Sequence, residues 1–471
     1  MLRNTTSIEK RLGDFKMDKH NHNLILPLIK FIDALAMTAL FGVCWFAYYA
    51  DRVYVPFYFW GNWCMIALYF VTFVIFGKIY DAFLISQMRI SEMVYSQGLA
   101  LVISDGFFFA ISCLFARDFV SPMAALQNLL CQFLVAVLWS YGAHKLYFAM
   151  FPPKRTAVIY DCRKDLDKVI EQYDENKKFH VEACYTAEEC LTDLARLDEM
   201  EAVFFSGVHS RERNAILKYC VERGIMCYVI PRIGDVLMVG GKQMHMFHLT
   251  FFRVGRYTPP PFYLATKRVI DIVLSVAALV ILSPVFLITA IAIKVNDGGS
   301  VFYKQNRLTK NGKVFAMHKF RSMRVDAEKD GVARLSTGEK DDRITSVGRV
   351  IRKLRIDELP QLLDILAGNL SIVGPRPERP EIAAQYEEEM PEFRLRLQAK
   401  AGLTGYAQVY GQYNTTPYDK LQMDLLYLAK PSLLEDLRIC FATVKILFMP
   451  ESTEGIAEGT KTAMESRDDT K

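Results

Sequence analysis

Two adjacent carboxylates, Asp357 and Glu358, lie within a basic stretch and are followed, one residue on, by Pro360. Arg343, Arg349, Arg352, Lys353 and Arg355 precede them with no acid between. Proline is accepted in a first helical turn, so Asp357 is expected at or near a helix start. There the positive end of the helix dipole and Arg352 or Arg355 would keep it ionised. An ionised carboxylate among cations is a competent nucleophile toward phosphorus. Its neighbour Glu358 could hold Mg²⁺, which diphosphate chemistry needs to neutralise developing charge. The same pair can also be read as a solvated helix face over a core stripe of Leu359, Leu362, Leu363 and Leu366. From spacing alone the second reading is the simpler one.

Upstream, residues 298–325 carry Lys304, Arg307, Lys310, Lys313, Lys319, Arg321 and Arg324 and no acid. Arg forks and Lys point charges are the usual tools for phosphate, although such density could equally be a footing on anionic lipid. Downstream, SIVGPRPE holds Arg376 between Pro375 and Pro377, a stiff mounting that suits a phosphate or uridine contact or a structural turn. Gly402, Gly405 and Gly411 punctuate a second turn-rich segment.

The elements that must carry these residues are set by hydropathy. In 471 residues, 52% belong to the broad hydrophobic set and 23% are charged, with a net charge of +5 and a mean hydropathy of +0.13. These values exclude a disordered chain and put the apolar residues in blocks. Residues 31–50 carry only Asp33, 53–77 no charge, 93–116 only Asp105, and 119–144 none. Each approaches or exceeds the roughly 20 residues that cross a bilayer core. Four spans are expected within residues 25–152, after a cytosolic tail at 1–24. Basic residues cluster before the first block, between the second and third, and after the fourth, which puts both ends of the bundle in the cytoplasm. Asp33 and Asp105 either face a polar partner or cavity or lie near helix ends. No cleaved signal peptide is expected, and the ten cysteines show no CxxC spacing, which fits a reduced cytosolic portion.

Residues 153–260 read as an α/β domain and linker. TAVIYD, FHVEACYT, EAVFFSG and IMCYVIP alternate with helical stretches, the pattern of a small parallel sheet of Rossmann-like type. The first strand runs into DCRKDL without a GxGxxG, so a structural or regulatory module is favoured over a nucleotide site.

A fifth charge-free run, 272–293, would be about 33 Å long as one helix. It should not cross. Lys267, Arg268 and Lys294 make both flanks basic, the segment beyond is a poor one to export, and Ser283-Pro284 interrupts the run. A proline frees a backbone carbonyl and the adjacent hydroxyl can satisfy it. A helix that enters one leaflet, bends at Ser283 and Pro284 and returns to the cytoplasm meets all three constraints; a kinked spanning helix is the alternative.

Taken together, residues 262–450 resemble the bacterial sugar transferase family, the monotopic phosphoglycosyl transferases. The resemblance rests on TKRVIDI (266–272), LSP (282–284), KQNR (304–307), HKFRSM (318–323), RKLRIDELPQL (352–362), VGPRPE (373–378), GLTGYAQV (402–409) and MDLLYL (423–428). With the N-terminal bundle and α/β insert, the chain is similar to the long polyprenyl-phosphate hexose-1-phosphate transferases. The fold class implied is a four-span membrane α-helical bundle, a Rossmann-like α/β domain, and an α-rich monotopic catalytic domain over 261–450 with a re-entrant helix.

The resemblance implies transfer of hexose 1-phosphate from a UDP-hexose to undecaprenyl phosphate, releasing UMP, as the first membrane step of exopolysaccharide, capsule or O-antigen synthesis. It implies Asp357 as nucleophile toward the β-phosphate, Mg²⁺ as cofactor, and Glu358 as metal ligand, base for the lipid phosphate, or both. Lys319, Arg321, Arg352 and Arg376 become candidate phosphate contacts, and Asp424 a substrate or supporting residue. The location implied is the bacterial inner (cytoplasmic) membrane, multi-pass, with membrane lipids as neighbours and the catalytic domain on the cytoplasmic face. Where family members often have PGxTGWAQ this chain has Ala401 and Tyr406, and Gln412 stands where a basic residue is frequent. Nucleic acid is not an expected partner. The bundle and extra domain offer surface for a symmetric homodimer. The tail at 451–471 is expected to be disordered. Two other readings remain at this stage: a non-catalytic membrane scaffold or sensor using the Rossmann-like domain, and a transporter built on Asp33 and Asp105.

Overall fold

The computed structural model describes residues 19–447 apart from 56, 58, 118–119, 162–165, 174–177, 325–342 and 412–414. The expectations for the N-terminal tail before residue 19, for Gln412 and for the tail at 451–471 therefore fall outside the described residues. The chain divides into two compact units, Met1–Ile230 and Pro231–Lys471.

The first unit opens with four long helices, α1 (Lys19–Cys44), α2 (Phe59–Ile79), α3 (Ile90–Phe115) and α4 (Pro122–Met150). Each packs on its sequence neighbour and α1 packs on α4 as well. All four are long and apolar enough to cross a membrane. Phe31, Leu35, Leu68, Leu130 and Leu138 face outward, whereas polar side chains are buried inside. That is the reverse of a water-soluble bundle, and helices in lipid associate through such interior polar contacts.

Neither Asp33 nor Asp105 lies near a helix end. Asp33 accepts from Gln97 Nε2 at 3.0 Å. Asp105 accepts from the Tyr69 hydroxyl at 2.7 Å and from Asn128 Nδ2 at 3.2 Å. Gln132 Nε2 donates to the Tyr69 oxygen at 2.8 Å and to the Met37 carbonyl at 3.0 Å. These bonds link all four helices, and a buried polar group is tolerated because it has such partners.

The rest of the first unit runs β1 (Lys154–Tyr160), α5 (Leu166–Tyr173), β2 (Phe179–Thr186), α6 (Ala187–Thr192), β3 (Ala202–Ser206), α7 (Ser210–Glu222) and β4 (Met226–Val229). The strands are parallel, in the order β2-β1-β3-β4. They are the runs TAVIYD, FHVEACYT, EAVFFSG and IMCYVIP read as strands in the sequence. Parallel neighbours require crossovers, which the intervening helices supply. Interior strands β1 and β3 bury Ala157, Val158, Ile159, Val203 and Phe205.

The second unit begins with α8 (Ile233–Val239) and a hairpin of β5 (Lys242–Met246) and β6 (Leu249–Arg253). Ile233 and Val236 of α8 pack into one core with Leu421, Leu425 and Leu428. Then come α9 (Pro261–Ile281) and α10 (Ser283–Asp297), which meet at Leu282 with a bend of 61°. Pro284 sits in the first turn of α10, and Ser283 Oγ donates to the Val280 carbonyl at 2.8 Å. The hydroxyl beside the proline thus takes up a carbonyl at the break, as the sequence pattern predicts.

One face of α9 is polar and fastened to the unit. Tyr263 and Lys267 both donate to Asp436 Oδ2, at 2.9 and 2.8 Å. Arg268 donates to the carbonyls of Ile365 and Leu366, at 2.6 and 2.8 Å. Asp271 accepts from Ser371 Oγ at 2.8 Å and from the Ile372 amide at 3.0 Å. Spacings of three and four residues put these side chains on one helix face. The other face exposes Val269, Val273, Val276 and Val280, and α10 exposes Leu287, Ile288 and Ile291. Asp271→Ala would strand two donors at a buried site, and a loss of roughly 2–4 kcal/mol is expected from the cost of unsatisfied buried groups. Thermal unfolding of the detergent-solubilised protein measures it; an unchanged midpoint would show that α9 is not anchored there.

The remaining elements are a hairpin of β7 (Phe302–Leu308) and β8 (Val314–Phe320), α11 (Ser346–Lys353), α12 (Gln361–Ala367), β9 (Ser371–Val373), α13 (Pro380–Glu389), β10 (Gly402–Thr404), α14 (Tyr406–Val409), α15 (Pro417–Ala429) and α16 (Leu433–Leu447). β9 and β10 pair in parallel, Ser371 opposite Gly402 and Val373 opposite Thr404. Gly402 and Gly405 allow this closeness: a Cβ on Gly402 would meet the Gly374 amide, and one on Gly405 the Gly374 carbonyl.

Candidate functional site

The basic run folds into α11, whose start is capped by Thr345 Oγ1 accepting from the Gly348 amide at 2.9 Å. The helix ends at Leu354. Arg355 then takes a left-handed conformation (φ 53°), costly for a residue with a Cβ, and turns the chain into a 3₁₀ turn over Ile356–Glu358. Asp357 therefore lies in this turn, just before Pro360 opens α12, close to the expected helix start. The core stripe differs from the one read in sequence. Leu362 and Ile365 are buried, Leu363 is exposed, and Asp364 is buried. The 3₁₀ turn shifts the phase of the buried face relative to one continuous α-helix.

Asp364 accepts from the backbone amide and from Nδ1 of His318, each at 2.8 Å. It fixes the end of β8 against α12. The next residue, Lys319, points the other way along the pleat, and its Nζ lies 3.5 Å from Glu358 Oε1. Arg376 Nη2 approaches the same oxygen to 3.8 Å. Arg352, one turn before the dyad, and Lys319 both act electrostatically on Asp357.

The two carboxyls end up unlike. Burial and then the adjacent Glu358 charge raise Asp357 to about 6, against the opposing pull of Lys319 and Arg352. For Glu358, burial acts upward but is outweighed by Lys319, Arg376 and Arg355, which hold it below the usual carboxylate range. The sequence reading expected the cations to keep Asp357 ionised; they act mainly on Glu358. Two neighbouring carboxyls pushed apart in proton affinity is the pattern of groups with different tasks.

Lys319, Glu358, Gln361, Arg376 and Gln408 line a cavity open to solvent, together with Arg307. Burial brings Arg307 down to about 10, which leaves it charged at neutral pH. Arg321 is buried, and its guanidinium occupies the place a Cβ on Gly299 would take. Asp424 is 1% exposed and its Oδ2 lies 2.6 Å from Nη2 of Arg396, itself 3% exposed. Arg396 was not singled out in the sequence. In FRLRLQ it looks like an ordinary surface residue, and only its burial betrays it.

Of the family departures, Ala401 is buried and its amide donates to Thr309 Oγ1 at 3.2 Å, a bond that a proline could not make. Tyr406 donates its phenol to Glu435 Oε1 at 2.7 Å.

Comparison with known proteins points to the same part of the chain. Residues 262–450 match the family described as bacterial sugar transferase. The chain is 36% identical over 239 residues to the UDP-N-acetylgalactosamine-undecaprenyl-phosphate N-acetylgalactosaminephosphotransferase of Aeromonas hydrophila, covering 50% of this chain and 55% of that protein. Over 190 residues it is 40% identical to the exopolysaccharide production protein PSS of Rhizobium leguminosarum bv. phaseoli, covering 38% of this chain and 94% of the relative. The UDP-glucose:undecaprenyl-phosphate glucose-1-phosphate transferase of Escherichia coli K12 is 38% identical over 183 residues, 38% of this chain and 39% of that one. The match thus spans about half of the Aeromonas protein's length and nearly all of the Rhizobium one.

Proposed function

Because this chain belongs to the bacterial sugar transferase family, we propose that it transfers hexose 1-phosphate from a UDP-hexose to undecaprenyl phosphate. The products would be an undecaprenyl-diphosphate sugar and UMP, at the start of exopolysaccharide, capsule or O-antigen synthesis. The observation that carries this reading is the dyad: two adjacent carboxyls in one 3₁₀ turn, with Lys319 and Arg376 at 3.5 and 3.8 Å from Glu358 and Arg352 acting on Asp357.

In the proposed mechanism the ionised Asp357 carboxylate attacks the β-phosphorus of the donor. A bond forms between Asp357 Oδ and phosphorus, and the bond from phosphorus to the oxygen bridging to the α-phosphate breaks, releasing UMP. A phosphate oxygen of undecaprenyl phosphate then attacks the same phosphorus and frees Asp357. Lys319, Arg352 and Arg376 would hold and neutralise the phosphate oxygens, the role in which Arg forks and Lys charges stabilise phosphoryl transfer.

The donors the dyad offers are carboxylate oxygens, presented from one 3₁₀ turn. That suits Mg²⁺, which keeps several waters and takes the rest of its shell from one or two carboxylates and the substrate's phosphates. Glu358 would hold it. When bound it would supply charge neutralisation at the diphosphate.

The inner-membrane, cytoplasmic-face location is part of the proposal. The four apolar helices would span, and the bent pair α9–α10 would enter one leaflet with its exposed valine and leucine face in lipid. The polar face anchored through Lys267, Arg268 and Asp271 would keep the dyad at the interface, where a lipid phosphate and an aqueous nucleotide sugar can meet. Relatives of 36% and 38% identity carry N-acetylgalactosamine and glucose in their names, so the sugar is to be settled by assay. The purified protein in nanodiscs is expected to release UMP from one of a panel of UDP-sugars only when undecaprenyl phosphate is added. No release with any donor, or release indifferent to the lipid, would overturn the reading.

A further inference from the structure

The segment that carries Arg376 is held by four successive carbonyls. The Pro375 carbonyl accepts from the Gly402 amide at 2.9 Å, and the Glu378 carbonyl from the Leu308 amide at 2.9 Å. Between them, the Arg376 carbonyl accepts from Arg396 Nη2 at 2.8 Å and the Pro377 carbonyl from Arg307 Nη1 at 3.0 Å. Two strands, the buried guanidinium of Arg396 and the half-buried one of Arg307 thus grip one turn from different sides. Pro375 and Pro377 already restrict its dihedrals. What projects from this clamped turn is the Arg376 guanidinium, 3.8 Å from Glu358.

Arg396 is built for this place. Its charge is matched by Asp424 at 2.6 Å, and its guanidinium lies over the Phe393 ring at 4.8 Å from the centroid. A buried ion pair is seldom favoured for stability alone, since well-packed apolar residues of equal volume often do as well. Its retention here needs another reason, and the hydrogen bond to the Arg376 carbonyl supplies one. Asp424, at 1% exposure, is shielded from any substrate in the cavity.

We propose that Arg396 and Asp424 are positioning residues for the transfer reaction, acting through the backbone of the Pro375–Pro377 turn to aim the Arg376 guanidinium at the donor diphosphate. The proposal rests on the function proposed above and assigns Asp424 to support of the site instead of substrate contact. Aim matters because a displacement of about 1 Å in a positioning group can cost on the order of 100-fold in rate.

The test is a double-mutant cycle on the full-length protein in nanodiscs, with whichever UDP-sugar the wild type turns over. Arg396→Met is expected to lower kcat/KM roughly 10- to 100-fold. In an Arg376→Ala background, where there is no guanidinium left to aim, the same change is expected to cost less than about twofold. Losses that multiply in full in the double variant would overturn the proposal, because a role independent of Arg376 predicts that result. Should Arg396→Met fail to fold, Asp424→Asn, which preserves shape and removes only the countercharge, enters the same cycle with the same two outcomes. A wild type without lipid-dependent UMP release would instead remove the functional reading itself. An active wild type with additive losses removes this inference alone.

Discussion

Asp357→Asn is expected to abolish transfer of label from a radiolabelled UDP-hexose to lipid in washed membranes supplied with Mg²⁺. The amide keeps the shape of the carboxyl in the 3₁₀ turn but offers no anionic oxygen to phosphorus, so the covalent step is lost. Losses on the order of 10³-fold or more are typical when a nucleophile is removed. Labelled phosphosugar should also be trapped on the wild-type protein and not on the variant. Full activity in the variant would end the assignment of Asp357 as nucleophile.

Glu358→Gln is expected to act twice, and the two effects move different observables. Losing a carboxylate that would help hold Mg²⁺ should lower the plateau rate by about 100-fold or more, the scale of several kcal/mol of charge stabilisation. The pH profile should shift as well. Asp357 is raised to about 6 by burial and by the Glu358 charge. Only its deprotonated form attacks, so wild-type kcat/KM should fall as pH drops through about 6. Glutamine removes one of the two causes of that elevation, so the acidic limb should move to lower pH. A limb that stays put or moves upward would contradict the electrostatic coupling between the two carboxyls.

Much of this site is legible in the sequence. The dyad, the proline after it, the rigid Arg376 turn and the interruption at Ser283-Pro284 are contiguous features, and contiguous features obey local rules. The Ser283 hydroxyl bonds a carbonyl at the break, Pro284 starts the second helix, and the four apolar runs are four long helices. The four β-rich runs are likewise the four strands of one parallel sheet. The core stripe after the dyad was misread because the chain enters α12 through a 3₁₀ turn, and one change of pitch moves every later residue around the helix. Asp33 and Asp105 were ambiguous for a related reason. Whether an acid in an apolar run has a partner depends on the three other helices, and Gln97, Tyr69 and Asn128 lie 23 to 64 positions away.

Sequence by itself determined the order of the parts, the bent apolar helix beside a basic domain, and the residues fit for phosphate chemistry, because hydropathy, periodicity and proline act over a few neighbouring residues. Tertiary structure alone decided which charge answers which. Lys319 reaches Glu358 across 39 positions, Arg396 reaches the Arg376 carbonyl across 20, and Asp424 is buried, paired in charge with Arg396. Electrostatic energy depends on distance in space and on burial, and neither is written in the spacing of residues along the chain.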